Sequence, residues 1–271
     1  MKKLISLFLA AILALSCFTA CQSSEQANDN NNATEKTVTV GYTIYEPMNY
    51  KDADGKLVGY DTELAEKVFG TLGYKVIFKE IDWASKYTDL NSDTIDCVWN
   101  GFTCNTSDDD GIARSEKVDF SYNYMENRQV IVIKKGTAIT AAADLAGKMG
   151  AAEGGSAGQT YGETFEGATV KTFSYQTDCL MEVNAGTADF AVLDAQLAKS
   201  YCGKGDYAEL EIVEALSSDV EYYAIGFKKG SELTAQVNEQ LEKLGAKGFI
   251  ATLAEKYGVA NTAITDFADQ K

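Results

Sequence analysis

From residue 37 onward, short apolar runs alternate with segments in which apolar residues recur at helical spacing. The runs predict strands at residues 37–41, 74–78, 95–99 and 129–134. Between the first two runs, apolar residues recur every four positions, which predicts a helix that Asp61 caps and Gly73 ends. Because strands separated by helices usually pair in parallel, this part of the chain is expected to be an α/β unit.

A second series of the same kind begins near residue 141. Its predicted strands cover residues 149–153, 169–173, 189–194 and 221–227, and predicted helices lie between the first three of these strands and after residue 194. After residue 227 the pattern is helical. Two α/β series in one continuous chain predict two lobes joined by crossover strands near residues 130 and 225. We expect lobe 1 to comprise residues 37–131 and 224–271, and lobe 2 residues 132–223.

The start of the chain has the features of an export signal. Two lysines precede an apolar run at residues 4–15, which is too short to span a membrane comfortably. Residues 1–20 are therefore predicted to be a signal peptide. Cys21 follows small residues, as does the lipidated cysteine of bacterial lipoproteins; Cys17 is a weaker candidate, and a plain cleaved signal is the alternative. Residues 21–36 are rich in Ser, Asn and Gln and are expected to form a flexible tether.

Composition excludes several classes of function. The chain contains no histidine, so catalytic triads and metal sites that need histidine are excluded. A net charge of −16 argues against nucleic acid or an anionic membrane surface as a partner. No cofactor or metal site is predicted. Beyond the signal and Cys21, four cysteines remain: Cys97, Cys104, Cys179 and Cys202. Either a disulfide between Cys179 and Cys202 or buried free thiols would fit.

Residues 100–121 carry the strongest candidate chemistry. This segment follows a predicted strand and contains Arg114, one of only two arginines in the chain. A guanidinium binds a carboxylate through two parallel hydrogen bonds. The alternative is a solvated loop in which Arg114 offsets the acidic residues at positions 108–110. A glycine-rich turn at residues 154–158 is either an anion site made of backbone N–H groups or an ordinary turn before a helix.

Several motifs occur in a fixed order along almost the whole chain after the signal. They include Asp96-Cys-Val-Trp-Asn-Gly-Phe-Thr103, Val118-Asp-Phe-Ser121, Asp144-Leu-Ala-Gly-Lys148 and Ala185-Gly-Thr-Ala-Asp-Phe-Ala-Val-Leu-Asp194. In this order they resemble the bacterial extracellular solute-binding proteins of the polar amino acid type, family 3. The resemblance implies a type II periplasmic-binding-protein fold, whose two α/β lobes close about a hinge of two crossover strands. It also implies a monomeric, lipid-anchored protein outside the cell membrane that delivers an amino acid to an ABC importer permease.

The resemblance assigns roles to residues by their position. It implies that Arg114 binds the α-carboxylate of the ligand and that Asp194 binds its α-ammonium group. The other residues implied to contact the ligand are Tyr45, Trp83, Asn100, Gly101, Phe102, Thr103, Ser156 and Ala157. The alternatives are that Trp83 and Phe102 belong to the core and that Asp194 caps the helix after it. Tyr45 and Trp83 favour a ligand whose side chain is neutral or modestly polar.

One departure from the family pattern concerns residues 104–113, which lie between Thr103 and Arg114. In the family only a few residues separate this threonine from the arginine. The additional residues therefore either bulge at the rim of the site or displace Arg114 from it. Two other functions stay open: a cyclohexadienyl or arogenate-type dehydratase on the same fold, with Glu46 as its general acid, and a ligand sensor without transport.

Overall fold

The structure, a computed structural model, describes residues 35–270, so the predicted signal peptide and Cys21 lie outside the described residues. The strands in this part of the chain are β1 (Lys36–Tyr42), β2 (Tyr50–Lys51), β3 (Leu57–Val58), β4 (Tyr74–Glu80), β5 (Cys97–Val98), β6 (Asp119–Phe120), β7 (Met125–Asn127), β8 (Gln129–Lys134), β9 (Met149–Glu153), β10 (Thr169–Phe173), β11 (Phe190–Asp194), β12 (Leu210–Val213), β13 (Glu221–Tyr223) and β14 (Gly226–Phe227). The helices are α1 (Tyr60–Thr71), α2 (Lys86–Asn91), α3 (Arg114–Lys117), α4 (Ala157–Gly162), α5 (Gln176–Ala185), α6 (Ala195–Tyr201), α7 (Leu233–Ala246) and α8 (Phe249–Lys256).

The first sheet has the strand order β4-β1-β5-β14-β6. Strand β1 pairs in parallel with β4 and β5, whereas β14 runs antiparallel to β5 and β6. The inward residues Val38 and Val40 of β1 are fully buried, and helix α1 contributes Leu64 and Val68 to the same core. Alternation along β1 and helical spacing along α1 thus place one apolar face of each element in the core of lobe 1.

The second sheet has the strand order β10-β9-β11-β8-β12. Strand β9 pairs in parallel with β10 and β11, and β8 pairs antiparallel with β11 and β12. The first five residues of β8 are buried because the strand lies inside the sheet, which explains its continuous run of β-branched residues. Two sheets with flanking helices confirm the expected α/β fold with two lobes.

The chain crosses between the two sheets at β7 and β13. These two strands form an antiparallel ladder of their own, with Asn127 opposite Glu221 and Met125 opposite Tyr223. The predicted crossover near residue 130 therefore lies a few residues too late, and the suggested lobe boundary after residue 131 falls inside β8. The predicted strand at 221–227 is two strands, because the chain leaves the ladder with β7 and then joins the first sheet as β14.

Helix α1 starts differently from the sequence prediction. It begins at Tyr60 after Gly59, and Asp61 lies inside the first turn instead of capping the helix. The buried Asp61 carboxyl accepts the Gly101 N–H at 3.0 Å and the Tyr124 hydroxyl at 2.8 Å. Burial raises the pKa of Asp61 to about 7. Asp61 therefore forms hydrogen bonds with residues distant in sequence instead of capping its own helix.

The four cysteines of the described residues are all free thiols, with Cys97 and Cys179 buried and Cys104 and Cys202 partly buried. Of the two accounts that the sequence left open, free thiols therefore apply. Within residues 35–270, no cluster of side chains has the composition of a metal site. The helices of this range are also too short or too polar to cross a membrane.

Candidate functional site

A narrow cavity lies between the lobes, where β5, β9 and β11 end. Strand ends of parallel sheets are the usual ligand positions in such folds, because loops after neighbouring strands converge there. The residues that line the cavity are Trp83, Asn100, Gly101, Thr103, Arg114, Glu153, Ser156, Ala157, Gln176 and Asp194. A larger surface groove near Gly245 and Phe267 has no basic residue in its wall.

Arg114 is the basic residue in the wall of this cavity, and only 1% of it is exposed. Its Nε donates to Asp108 Oδ1 at 2.7 Å, while Nη1 and Nη2 donate to the carbonyls of Thr103 and Gly155 at 3.2 Å each. The ring of Phe102 lies beneath the guanidinium, at 5.4 Å from Cζ. A guanidinium has five N–H groups, so two of them are left for a further acceptor.

The segment at residues 104–113 supplies the carboxylate that orients Arg114. Besides its ion pair with Arg114, Asp108 accepts the Tyr87 hydroxyl at 2.6 Å and pairs with Lys117 at 2.8 Å. Burial disfavours the charge on Asp108, but Arg114, Lys117 and Tyr87 outweigh burial and lower the pKa of Asp108 to about 2. The additional residues thus fold back against Arg114, which keeps the arginine in the cavity wall.

Backbone N–H groups complete this end of the cavity. No described residue accepts a hydrogen bond from the N–H of Thr103 or from that of Ala157, the first residue of α4. The Ser156 hydroxyl caps α4 by accepting the Gln159 N–H at 3.0 Å. The Gly101 N–H, in contrast, is already bound by Asp61. Two N–H groups and one guanidinium therefore point to a carboxylate as the chemical group that fits here.

Asn100 contributes to the cavity through its backbone. Its side-chain Oδ1 accepts both the N–H and the hydroxyl of Thr43, and its Nδ2 donates to the Thr43 carbonyl and to Asn49 Oδ1. The amide is thus fully used in holding two loops together. It orients the turn that carries Gly101 and Thr103.

Asp194 belongs to the second lobe and lines the same cavity as Arg114. It occupies the position before α6, but its side chain makes no capping hydrogen bond. The carboxylate instead accepts hydrogen bonds from Asn127, Gln129 and Gln176. Glu221 accepts from the same Asn127 and Gln129 amides, at 2.6 and 2.7 Å. Neither Asp194 nor Glu221 forms an ion pair with a basic residue of the described chain.

Burial raises the pKa values of this carboxyl pair. The hydrogen bonds to Asp194 only partly counter the loss of solvation there. Burial and then the neighbouring Asp194 raise the pKa of Glu221 to about 7. A buried pair of acids without a basic partner is a site where an ammonium group can supply the missing positive charge.

Two of the predicted contact residues do not line the cavity. Phe102 is fully buried and packs against Trp83 and Phe120, with ring centroids 5.2 and 4.9 Å away. Tyr45 donates to or accepts from the Tyr223 hydroxyl at 2.7 Å. Both rings support the cavity wall from behind. Glu46 is also absent from the wall, so the general acid expected for a dehydratase is not at the cavity.

Sequence reasoning missed Glu153 and Gln176. Glu153 is the last residue of β9, and the rule that ligands lie at strand ends was the signal that could have found it. Gln176 is the first residue of α5 and follows the end of β10 by three residues, so the same rule applies to it. Lys86 lies beside the cavity: its Nζ donates to the Gly155 carbonyl at 2.9 Å and lies 5.1 Å from the centroid of the Trp83 ring.

Comparison with known proteins finds relatives whose names agree in describing amino-acid binding. The arginine-binding extracellular protein ArtP of Bacillus subtilis (strain 168) is 29% identical over 95% of this chain and 98% of its own length. The L-cystine-binding protein TcyA of the same strain is 30% identical over 94% of this chain and 97% of its own. The solved structure of an ancestral arginine-binding protein bound to arginine superposes with a TM-score of 0.74, at 33% identity, over 82% of this chain and 97% of that one.

These relatives are amino-acid-binding proteins, and the matches extend over both lobes of this chain. The family model that describes such proteins matches residues 38–260, which include every residue of the cavity wall. This protein therefore belongs to the bacterial extracellular solute-binding proteins, family 3.

Proposed function

We propose that this protein binds one amino acid between its lobes and delivers it to the permease of an ABC importer. One observation carries the proposal: Arg114 and Asp194 face the same cavity from opposite lobes. A fixed cation and a fixed anion on two walls match the carboxylate and ammonium groups that every amino acid carries. That relatives bind arginine and L-cystine supports the same ligand class.

In this proposal the ligand carboxylate binds Arg114 and the N–H groups of Thr103 and Ala157, while Asp194 binds the ammonium group. Trp83 packs against the ligand side chain, with Tyr45 and Phe102 behind the wall. Asn100, Gly101 and Ser156 hold the turns that present these groups. The two lobes open and close about β7 and β13, where the chain crosses between the two sheets.

We further propose that the mature protein is a monomer anchored by a lipid on Cys21, and that it releases its ligand unchanged. Palmitate labelling of the wild type and of Cys21→Ala, in the organism or in a lipoprotein-processing host, tests the anchor. Unlabelled wild-type protein would overturn it. Mass spectrometry of ligand recovered after long incubation tests the absence of turnover; a dehydrated or otherwise altered product would favour the enzyme alternative.

A thermal-shift screen of the protein amino acids, ornithine and L-cystine tests the binding function directly. A ligand at a hundred times its Kd stabilises the folded state by about 2.7 kcal/mol, which raises Tm measurably. Arg114→Ala should abolish the shift, and Arg128→Ala is its matched control. The control removes the other arginine, whose exposed side chain is bound to the Ser218 carbonyl. Calorimetry on the hits should give one site per chain. If no amino acid binds saturably, the proposed function is wrong. If one does bind, its uptake by cells that carry the permease distinguishes transport from sensing.

A further inference from the structure

The geometry points to Glu153 as the residue that selects the ligand, in favour of an amino acid with a second positive charge on its side chain. This inference rests on the proposed function and narrows its ligand class. Glu153 is the last residue of β9, lines the cavity and is 3% exposed. Its carboxyl forms no hydrogen bond and no ion pair with another described residue, although it is surrounded by protein.

The charges in the cavity wall leave Glu153 without a role in binding the α-groups. Arg114 is the cation in the wall, and Asp194 and Glu153 are the acids. An α-carboxylate uses Arg114 and an α-ammonium uses Asp194, so one buried acid remains. A neutral ligand side chain would leave it with no partner, and burial of a carboxylate without one is unfavourable. A cationic side chain would leave no charge of the wall unpaired.

Lys86 is the basic residue that could have neutralised Glu153 from within the protein. Its Nζ is bound instead to the carbonyls of Gly155 and Trp83, at 2.9 and 3.3 Å, and lies 4.7 Å from the Tyr87 ring centroid. It forms no ion pair with an acid among the described residues. Burial and Asp194 raise the pKa of Glu153, and the opposing effect of Lys86 is smaller than either.

The groups that face Glu153 from neighbouring elements are mostly acidic. Asp194 on β11, Asp82 before the Trp83 turn and Asp178 on α5 all disfavour the charge on Glu153, whereas Lys86 favours it. A cation placed among these acids is favoured by all of them. The face of Trp83 is compatible with this, since aromatic rings attract cations as well as apolar chains. The expectation of a neutral side chain was based on the rings alone and did not include Glu153.

The test compares cationic ligands with neutral analogues of similar shape. Calorimetry on the full protein would measure arginine against citrulline and lysine against norleucine. We expect the wild type to prefer the cationic member of its best pair by about thirty-fold or more, the effect of a close buried charge pair. This comparison uses unmodified protein, so it holds even where a variant does not fold.

Glu153→Gln keeps the shape of the side chain and removes its charge. The cation should lose most of its advantage, while the neutral analogue changes by a few-fold at most. Glu211→Gln, on the exposed side of β12, is the matched control and should change neither affinity. Lys86→Met should preserve the preference for the cation.

The outcomes distinguish a failure of this inference from a failure of the proposed function on which it rests. Tight binding of a neutral or acidic amino acid in preference to every cation would overturn the role of Glu153 and leave the proposed function standing. Equal losses for cation and neutral analogue in Glu153→Gln would also overturn it, because they would indicate a structural role. No binding of any amino acid by the wild type would refute the proposed function and this inference together.

Discussion

Replacing Arg114 by alanine removes the group that should hold the ligand carboxylate. The guanidinium is buried, is aligned by Asp108 at 2.7 Å and has two N–H groups left over from its contacts with Thr103 and Gly155. Truncating one partner of such a hydrogen-bonded charge pair costs about 2–5 kcal/mol of binding energy, which is roughly thirty- to several-thousand-fold in Kd. Arg114→Lys should recover little, because an ammonium group cannot match two carboxylate oxygens at once.

The same change should weaken the fold only moderately. Asp108 loses one partner but keeps the Tyr87 hydroxyl at 2.6 Å and Lys117 at 2.8 Å. We therefore expect a loss of about 1–3 kcal/mol, the range for a buried group that loses a hydrogen-bond partner. This is smaller than the total of about 5–15 kcal/mol that is typical of domains, so the variant should stay folded.

Calorimetry with the ligand found by screening measures the affinity, and urea unfolding of the unliganded protein measures the stability. Asp108→Asn is the informative companion, since it leaves the guanidinium in place but removes the charge that orients it. It should weaken binding less than Arg114→Ala does. If Arg114→Ala binds the ligand within a few-fold of the parent, the assignment of Arg114 to the ligand carboxylate is wrong.

Three further predictions concern protons and backbone. Binding of the ligand's ammonium group should ionise the Asp194–Glu221 pair, so the affinity for the ligand should fall as the pH is lowered from about 8 to about 6. Calorimetry in two buffers of different ionisation enthalpy detects the protons that are released. Binding that does not depend on pH would contradict this prediction. The pKa of Asp61 is about 7 in the folded protein and lower when unfolded, so its stabilising effect is present below about pH 4 and is lost as the pH rises to about 7. Asp61→Asn should flatten this part of the Tm profile, and an unchanged slope would argue against it. Gly101→Ala should lower the free energy of unfolding by at least about 1–2 kcal/mol and weaken ligand binding, because φ is +60° and the new Cβ would lie 2.7 Å from Tyr45 Cε1. Gly111→Ala is the control: it has similar backbone strain without a clash and should leave binding intact.

Much of the architecture follows from local pattern. The alternation over β1 and the four-residue spacing along α1 are properties of short stretches, because strand and helix periods of two and 3.6 residues decide which side chains share a face. The order of motifs along the chain indicated the family as well.

The composition of the cavity wall was also largely accessible from the sequence. Arg114, Asp194 and Ser156 were expected there because the resemblance to the solute-binding family places them at ligand-binding positions, and all three line the cavity. Their roles toward a ligand stay predictions. Lobe boundaries were less accessible, since the place where β7 and β13 pair depends on contacts between residues almost a hundred positions apart.

Only the tertiary structure decided where individual polar side chains point. Asp61 looked like a helix cap but reaches Gly101 across the lobe, and Asp108 looked like a solvated loop residue but is buried against Arg114. Glu153 belongs to an apolar strand pattern, and its lack of an ion-pair partner becomes visible when β9, β11 and the Trp83 turn come together. Periodicity reports which face of an element is buried, whereas the partner of a buried charge depends on elements distant in sequence, and that information is not contained in any one stretch of the chain.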